Sequence, residues 1–395
     1  MTVLMHDAEQ ALDRKDYAAA VDRLKLAVQA APDTVPAWFD LGYAFTGLHQ
    51  NDEARAAYEK ALQVDPQLFE ASLNLGILLL DMKDAAAALP HLEKAAALKP
   101  ADPRAHLYLG RALVANGEAA KAQSEFRQAL ELDPKLAPAA SGLGETLLDQ
   151  NQYAEAASAF QQALSLDPGL AEAELGLADT SEDLGQQLEA EKHFAQYLKL
   201  QSDDAEARFR LANLYLQENK LDPAIAELER LEQVHAAVPG LEAALGDAYA
   251  LKGDFADSEQ HYRQALALTP SQSDLHRAFG ETLLKENKPA GAESEFRRSL
   301  QIDPRNVDAV KGLATSLYLL KRYSEAAPLV ERLVQSPVAA PGLFFILATC
   351  YDHLQDRERA LAAYQHFLDL SHGVSPDQEW QARQRVKLLL REVRK

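Results

Sequence analysis

Apolar residues recur along this chain at spacings of three and four, which is the pattern of amphipathic α-helices. Leu41, Leu75 and Leu109 are each followed by glycine and lie 34 residues apart. Prolines keep the same period, at Pro32, Pro66, Pro100, Pro134, Pro168, Pro270 and Pro304. The sequence therefore predicts an array of equal units, each built from two amphipathic helices.

Counted from the first residue, the repeat divides the chain into eleven windows of 34 residues without an insertion or a deletion. Windows one to eleven are 1–34, 35–68, 69–102, 103–136, 137–170, 171–204, 205–238, 239–272, 273–306, 307–340 and 341–374. The array thus spans residues 1–374, and residues 375–395 follow as a tail with a different pattern.

The tail is predicted to form one helix that caps the array. Ser375 suits the N-cap position and Pro376 suits the first helical position. The apolar face of this helix consists of Ala382, Val386, Leu389 and Val393. Its basic face consists of Arg383, Arg385, Lys387, Arg391, Arg394 and Lys395. Such a helix covers the stacking surface that the last repeat of an array leaves open.

Each window repeats the same small set of side chains. Window two has them at Trp38, Leu41, Gly42, Phe45, Ala54, Tyr58, Ala61 and Pro66. This arrangement resembles the tetratricopeptide repeat, and the resemblance extends over residues 1–374. It implies an all-α fold, a right-handed α-solenoid superhelix of eleven 34-residue helix-turn-helix repeats with a C-terminal capping helix.

Small residues mark where the predicted helices meet and where they turn. Glycine at position 8 of a window, as at Gly110, predicts a close helix crossing, because a larger side chain would overpack the contact. Gly142 and Gly144 resemble the start of a dinucleotide-binding fingerprint, but the third glycine is absent and we interpret both as packing residues. Position 15 carries residues that accept the left-handed conformation at a helix end, namely Gly117, Asn151, Gly185, Asn219, Gly253 and Asn287.

Windows six, seven, ten and eleven depart from this pattern. They have alanine at position 8, and they replace the proline at position 32 by Ser202, Ala236, Val338 and His372. Windows six and seven are adjacent, which leaves two interpretations open. Either the pitch of the superhelix changes there, or larger side chains elsewhere compensate for the lost volume without a bend.

Charge and composition narrow the class of protein. The chain has 60 acidic and 40 basic residues and a net charge of −20, which argues against a nucleic-acid partner. The single cysteine, Cys350, excludes an internal disulfide and a cysteine-rich zinc site. No apolar run is long enough for a membrane span, and the first residues lack a secretory signal. These features predict a cytoplasmic protein, or a periplasmic one if an upstream signal has been removed.

Patterns typical of catalysis are absent from the sequence. The eleven histidines do not form a His-Glu-x-x-His motif, and there is neither a phosphate-binding loop nor a Gly-x-Ser-x-Gly elbow. Cys350 lies beside Tyr351 at a core position and is interpreted as a buried structural thiol rather than a nucleophile. We therefore expect no enzymatic activity, no cofactor and no metal ligands.

The resemblance implies that the first helix of each window lines a concave face with its positions 2, 5, 9, 12 and 13. Windows two to four place there Phe39, Tyr43, Leu73, Ile77, Leu80, Leu107 and Arg111. Windows five to nine place there the largely acidic set Glu145, Asp149, Asp179, Glu182, Asp183, Asn213, Asp247 and Glu281. Windows nine and ten add Arg277 and Lys311. The alternatives are internal packing for the apolar residues and a solvated face for the acidic ones.

We expect a non-enzymatic scaffold that binds peptide segments or protein surfaces on this face, with basic segments favoured by its acidic residues. One alternative is an envelope-associated subunit of a secretion, pilus or outer-membrane assembly whose export signal is absent from the sequence. Another is a regulatory subunit of an enzyme complex. A clamp for the acidic tail of cytosolic chaperones is excluded, because only two of its five positions match, at Asn74 and Arg104.

Overall fold

The computed structural model describes residues 1–234, 238–336 and 339–393, and every regular element among them is an α-helix. The all-α prediction is therefore confirmed. Four residues to which the sequence pattern draws attention lie outside the described residues: Ala236, Val338, Arg394 and Lys395. Contacts between residues divide the chain into two compact units, Met1–Asp204 and Ala205–Lys395.

The first unit consists of helices α1 to α12. They span Thr2–Asp13, Tyr17–Ala30, Val35–Gly47, Asn51–Val64, Phe69–Asp81, Ala85–Leu98, Pro103–Ala115, Ala119–Leu132, Ala137–Asp149, Tyr153–Leu166, Ala171–Asp183 and Gln187–Leu200. The described part of the second unit contains α13 to α23. They span Ala205–Gln217, Leu221–Gln233, Leu241–Lys252, Phe255–Leu268, Ser273–Lys285, Pro289–Ile302, Val307–Leu319, Tyr323–Val334, Pro341–His353, Arg357–Ser371 and Pro376–Glu392. Within the described ranges, no helix has both the length and the apolar character needed to cross a membrane.

Each odd-numbered helix up to α21 packs on the even-numbered helix that follows it, and the two are joined by a tight turn. The residue at position 15 of the window adopts a positive φ in that turn, for example 77° at Gly117 and 58° at Asn151. The predicted left-handed turns are confirmed at all six glycine and asparagine positions. The same conformation occurs at the five positions where the residue type gave no signal, Lys15, His49, Lys83, Lys321 and Gln355.

Aromatic side chains at position 24 occupy the core between consecutive windows. The Phe126 ring is completely buried. A Cβ atom added at Gly110 of the same window would lie 2.7 Å from this ring, and one added at Gly142 of the next window would lie 2.5 Å from it. Real Cβ atoms do not approach a ring so closely, so both positions require glycine for this packing. The packing role predicted for Gly142 and Gly144 is confirmed, since Gly144 meets the Phe160 ring in the same way.

Neighbouring odd-numbered helices also contact one another inside each unit. In the first unit this holds for the succession α3, α5, α7, α9 and α11, and in the second for α13, α15, α17 and α19. By contrast, the even-numbered helices from α2 to α20 pack extensively only on odd-numbered helices and not on one another. The odd-numbered helices of each unit therefore lie closer together than the even-numbered ones, which places them on its concave side.

The last helix, α23, packs on α22. Ala382 and Leu389 are fully buried, as the apolar pattern predicts. Val393, the C-cap residue of the helix, is 39% exposed instead. Two hydrogen bonds from the Arg385 guanidinium to the Asp352 carboxylate, at 2.5 and 2.7 Å, tie α23 to α21 as well.

Candidate peptide-binding surfaces

The apolar part of the predicted groove lies on α3 and α5 of the first unit. Tyr43 is 46% exposed, and its ring lies 6.2 Å from the ring of Tyr17. Phe39 is half-buried and contacts the Tyr58 ring at 5.9 Å, while Ile77 and Leu80 are half-buried. Tyr43 is thus the most accessible of these side chains.

Two of the predicted groove residues are placed elsewhere by the structure. Leu73 and Leu107 are only 3% and 4% exposed and belong to the core of the first unit. For these two leucines the alternative of internal packing is therefore the right one, because their side chains meet neighbouring helices rather than solvent. They offer a ligand no surface.

The acidic part of the groove begins on α9. Glu145 and Asp149 are both exposed to solvent. Even so, the surrounding protein partly desolvates the Glu145 carboxylate and raises its pKa. The positive charge of Arg111 on α7 opposes this rise, whereas the negative charges of Glu172 on α11 and of Asp149 add to it. Three consecutive odd-numbered helices therefore bring these four charges within electrostatic reach of one another.

Further carboxylates continue the acidic surface on α11. Asp179 and Glu182 are half-buried and Asp183 is exposed. Burial raises the pKa of the Tyr197 hydroxyl to about 12, and the hydrogen bond that it donates to Asp204 adds to the rise. The charges of Glu172 and Asp179 make smaller contributions. Asp179 thus shares an electrostatic neighbourhood with Glu172, which in turn influences Glu145 of window five.

The sequence prediction missed two carboxylates on odd-numbered helices. Asp40 on α3 is half-buried, and burial raises its pKa to about 6, with a smaller contribution from Glu9. Glu172 stands at position 2 of window six, one of the groove positions, and is nevertheless absent from the predicted set. For Asp40 the signal is weak, because a single carboxylate at position 6 of one window does not stand out in an acidic chain.

The second unit contains a cavity of about 360 Å³ on its odd-numbered helices. It is lined by the predicted residues Asp247, Arg277 and Glu281. Arg277 donates a hydrogen bond of 2.8 Å to Glu281, and its charge partly offsets the desolvation that raises the pKa of Asp247. The cavity is therefore of mixed charge rather than acidic. Asn213 on α13 and Lys311 on α19 lie outside its lining.

Cys350 is fully buried on α21. Desolvation raises the pKa of its thiol to about 11, so the thiol stays protonated at neutral pH. A protonated, inaccessible thiol cannot act as a nucleophile. The interpretation of Cys350 as a structural residue is confirmed.

Helix pairs that stack on their neighbours and present exposed side chains on one layer define a helical-repeat protein. Seven segments match family models of the tetratricopeptide repeat, and together these segments cover most of the chain. They are residues 8–69, 46–103, 79–145, 137–170, 175–242, 241–275 and 283–337. The chain belongs to the tetratricopeptide repeat family.

Two curated relatives share part of the repeat array. The type IV pilus assembly protein PilF of Pseudomonas aeruginosa is 33% identical over 92 residues, which are 23% of this chain and 35% of that protein. The cellulose synthase operon protein C of Xanthomonas axonopodis is 30% identical over 131 residues, 33% of this chain and 8% of that protein. The chain thus spans about a third of the first relative and less than a tenth of the second.

Solved structures of helical-repeat proteins resemble parts of the chain. The structure of PilW, a type IV pilus biogenesis factor, covers 53% of this chain with 23% identity and a TM-score of 0.47. The structure of YrrB, described as a repeat protein with an unusual peptide-binding site, covers 50% with 21% identity and a TM-score of 0.40.

Proposed function

We propose that this chain is a non-enzymatic protein-interaction scaffold whose first unit binds basic peptide segments along its odd-numbered helices. The observation that supports this function best is the acidic surface formed by Glu145, Asp149 and Glu172. These carboxylates come from two adjacent helices, α9 and α11, on the concave side of the unit.

The electrostatics of this surface favour a cationic ligand. Like charges gathered in a concave region focus the field and attract an oppositely charged partner. Desolvation and the repulsion of Glu172 and Asp149 raise the pKa of Glu145, which means that ionising this carboxylate is less favourable in the free protein than in water. A lysine or arginine side chain beside it relieves that repulsion, so a basic ligand gains more here than beside isolated surface carboxylates.

The order of the helices indicates what else the ligand contains. The exposed Tyr43 and the half-buried Ile77 lie on α3 and α5, before the acidic residues of α9 and α11. Arg111 on α7 stands between the two parts. A segment with apolar side chains at one end and basic side chains at the other therefore matches both the apolar part and the acidic part of the surface.

A peptide array tests the proposal directly. The purified chain is incubated with immobilised peptides that vary independently in charge and in apolar content. We expect it to retain peptides with an apolar end and a basic end, and the signal to fall as salt rises, because screening shortens the reach of surface charges to about 8 Å at physiological ionic strength. Retention that is independent of peptide charge contradicts the proposal.

Charge reversal locates the surface. Glu145→Lys combined with Asp149→Lys is expected to weaken binding of the best basic peptide at least tenfold, which is about 1.4 kcal/mol. Glu131→Lys combined with Glu155→Lys is the matched control, since both residues are also exposed in the first unit but lie on the even-numbered helices α8 and α10. Equal losses in both variants would show that only the net charge of the chain matters.

A role in assembling a pilus or another envelope structure is a second candidate function. It is supported by the 33% identity to the type IV pilus assembly protein over 92 residues. Disruption of the gene in its source organism, scored by counting surface pili and by fractionating the cells, tests this role. We expect pili to be lost on disruption and restored by the unaltered gene, whereas unchanged piliation contradicts the role.

A further inference from the structure

We propose that Glu232, Glu242 and His261 in the second unit form a binding site for a divalent metal ion of the zinc type. The three side chains belong to three consecutive helices, α14, α15 and α16. Each offers one ligand atom, and these atoms all lie within 4.8 Å of one another. His261 is buried and the two glutamates are half-buried.

The repeat pattern singles out Glu232 among these residues. It occupies position 28 of window seven, where all ten other windows carry an apolar side chain. Those residues are Val28, Leu62, Ala96, Leu130, Leu164, Leu198, Leu266, Leu300, Val334 and Leu368. A carboxylate at this partly buried position is less favourable than an apolar side chain unless it meets a positive charge or a metal ion. Glu232 therefore requires a specific role.

The histidine–glutamate pair by itself does not indicate a metal. Glu242 and His261 stand at positions 4 and 23 of window eight, and Oε2 of Glu242 lies 2.9 Å from Nδ1 of His261. Windows four, six and nine have equivalent pairs at 2.7 Å, namely His106 with Glu125, Glu174 with His193, and His276 with Glu295. These pairs join the two helices of a window. Glu189 also approaches the window-six pair, but at the other ring nitrogen of His193, 3.8 Å away. Within the described residues, only in window eight do three such side chains each place one ligand atom within 4.8 Å of the other two.

The donor set defines the class of metal. One imidazole nitrogen and two carboxylate oxygens suit zinc, which binds such ligands at about 2.0–2.2 Å. Tetrahedral geometry then separates ligand atoms by about 3.4 Å, so modest side-chain rotations convert the present spacing into a site. Calcium prefers six to eight oxygen ligands and fits less well. Three protein ligands leave one position for water.

The neighbourhood of His261 holds its ring in place. The Tyr249 ring stacks on the imidazole with centroids 5.5 Å apart and planes inclined by 4°. The Tyr249 hydroxyl donates a hydrogen bond of 2.6 Å to Glu229, which orients the stacking ring in turn. Ligand side chains that are oriented by a second set of contacts bind metal more tightly than free ones.

Zinc titration of the full chain, after treatment with a chelator, tests the proposal. We expect one zinc ion to bind per chain, to raise the melting temperature, and to bind at least tenfold more weakly to the Glu232→Leu variant. Glu232→Leu places at position 28 the residue most common there in the other windows, so it is expected to fold. The free variant should melt at or above the temperature of the free unaltered chain.

Histidine variants supply the matched control. His261→Gln should abolish the zinc-dependent rise in melting temperature, whereas His193→Gln, which alters the equivalent pair of window six, should leave it intact. Three results would overturn the proposal: no zinc binding by the unaltered chain, binding that Glu232→Leu leaves unchanged, or binding that is lost equally in both histidine variants. The first of these would mean that the three side chains form an ion-pair cluster only.

Discussion

Phe126 shows how a single side chain joins two repeats. Its ring is fully buried and lies against Gly110 on one side and Gly142 on the other. Glycine inside a helix is unfavourable by about 1 kcal/mol relative to alanine. The contact with the ring explains why the sequence nevertheless keeps glycine at both positions.

Substitution of Gly110 tests this packing. We expect Gly110→Leu to lower the free energy of unfolding by about 1–3 kcal/mol, because the new side chain overlaps the Phe126 ring. Gly342→Leu is the control, since a Cβ atom added at this helical glycine meets nothing within 4 Å. Urea denaturation measures both variants. A Gly110→Leu protein as stable as the unaltered chain would show that the helices do not cross so closely.

A second residue-level prediction concerns Asp40. Its pKa is raised to about 6 in the folded chain, chiefly by burial, whereas the unfolded value is about 3.8. The folded state therefore binds a proton more tightly than the unfolded state does, and stability falls as the pH rises from about 4 to about 6. Asp40→Asn should raise the free energy of unfolding by about 1–3 kcal/mol at pH 7.5 and change it little near pH 4.

Thermal unfolding of Asp40→Asn, of Asp33→Asn and of the unaltered chain is measured at several pH values. The comparison of the two variants distinguishes this effect from a general loss of negative charge. Asp33 is exposed in the loop before α3. Asp33→Asn should leave the difference in stability between pH 7.5 and pH 4 unchanged. If Asp40→Asn behaves in the same way, then burial of this carboxyl does not control the pH dependence.

The sequence predicts backbone features better than it predicts burial. Gly117 and Asn151 signal their left-handed turns by residue type, but Lys83 adopts the same conformation with φ of 60°. There the repeat geometry overrides the preference of an ordinary residue. The groove positions of Leu73 and Leu107 come from the family pattern. Their burial depends on how neighbouring helices pack, which residue spacing alone does not specify.

At the scale of helices, charged contacts between positions 4 and 23 vary from window to window. Window seven joins its two helices with Arg208 and Glu227, while window five has alanine at both positions, Ala140 and Ala159. In the sequence, windows four, six, seven, eight and nine have a basic or histidine residue at one of these positions and a glutamate at the other. The pairing does not stand out in the sequence. Position 23 lies outside the family pattern, the pattern expects a bulky side chain at position 4, as at Trp38, and each charge considered alone looks like ordinary surface charge.

Removal of the last helix tests whether α23 stabilises the helix pair on which it packs. Deletion of residues 375–395 exposes the surface of α22 and removes the contact between Arg385 and Asp352. Because each repeat is stabilised mainly by its neighbours, we expect faster amide hydrogen exchange in α21 and α22, with little change in the first unit. Lys387→Ala, which removes one exposed charge from α23, is the control. Unchanged exchange in α21 and α22 would contradict a stabilising role of α23.

At the scale of the whole molecule, each of the two units has its own apolar core. The core of the first unit includes Leu24, Phe126 and Phe160, and that of the second includes Leu228, Phe296 and Phe367. The boundary after Asp204 coincides with the end of window six. The windows on either side of it lack the glycine and proline of the regular repeats, and this departure is visible in the sequence.

Separate expression of residues 1–204 and 205–395 tests the independence of the units. We expect both fragments to be helical by circular dichroism and to unfold cooperatively in urea, because most stabilising contacts of a repeat array are local. The peptide-binding surface should remain with fragment 1–204 and the metal site with fragment 205–395. A fragment that is unfolded at room temperature would show that its core needs the other unit.

The glycine contacts of Phe126 also bear on how such an array grows by gene duplication. A tandem copy of window four would place Tyr108, instead of Gly142, after the Phe126 ring of the first copy. The Phe126 ring in its present position leaves no room for that side chain, so the junction inside the inserted cassette would have to repack. The smallest segment that carries both contacts is the helix triplet α7 to α9, which begins in one window and ends in the next. Recombination or design that exchanges whole windows therefore separates Phe126 from one of its glycine contacts. Exchange of helix triplets keeps both contacts together.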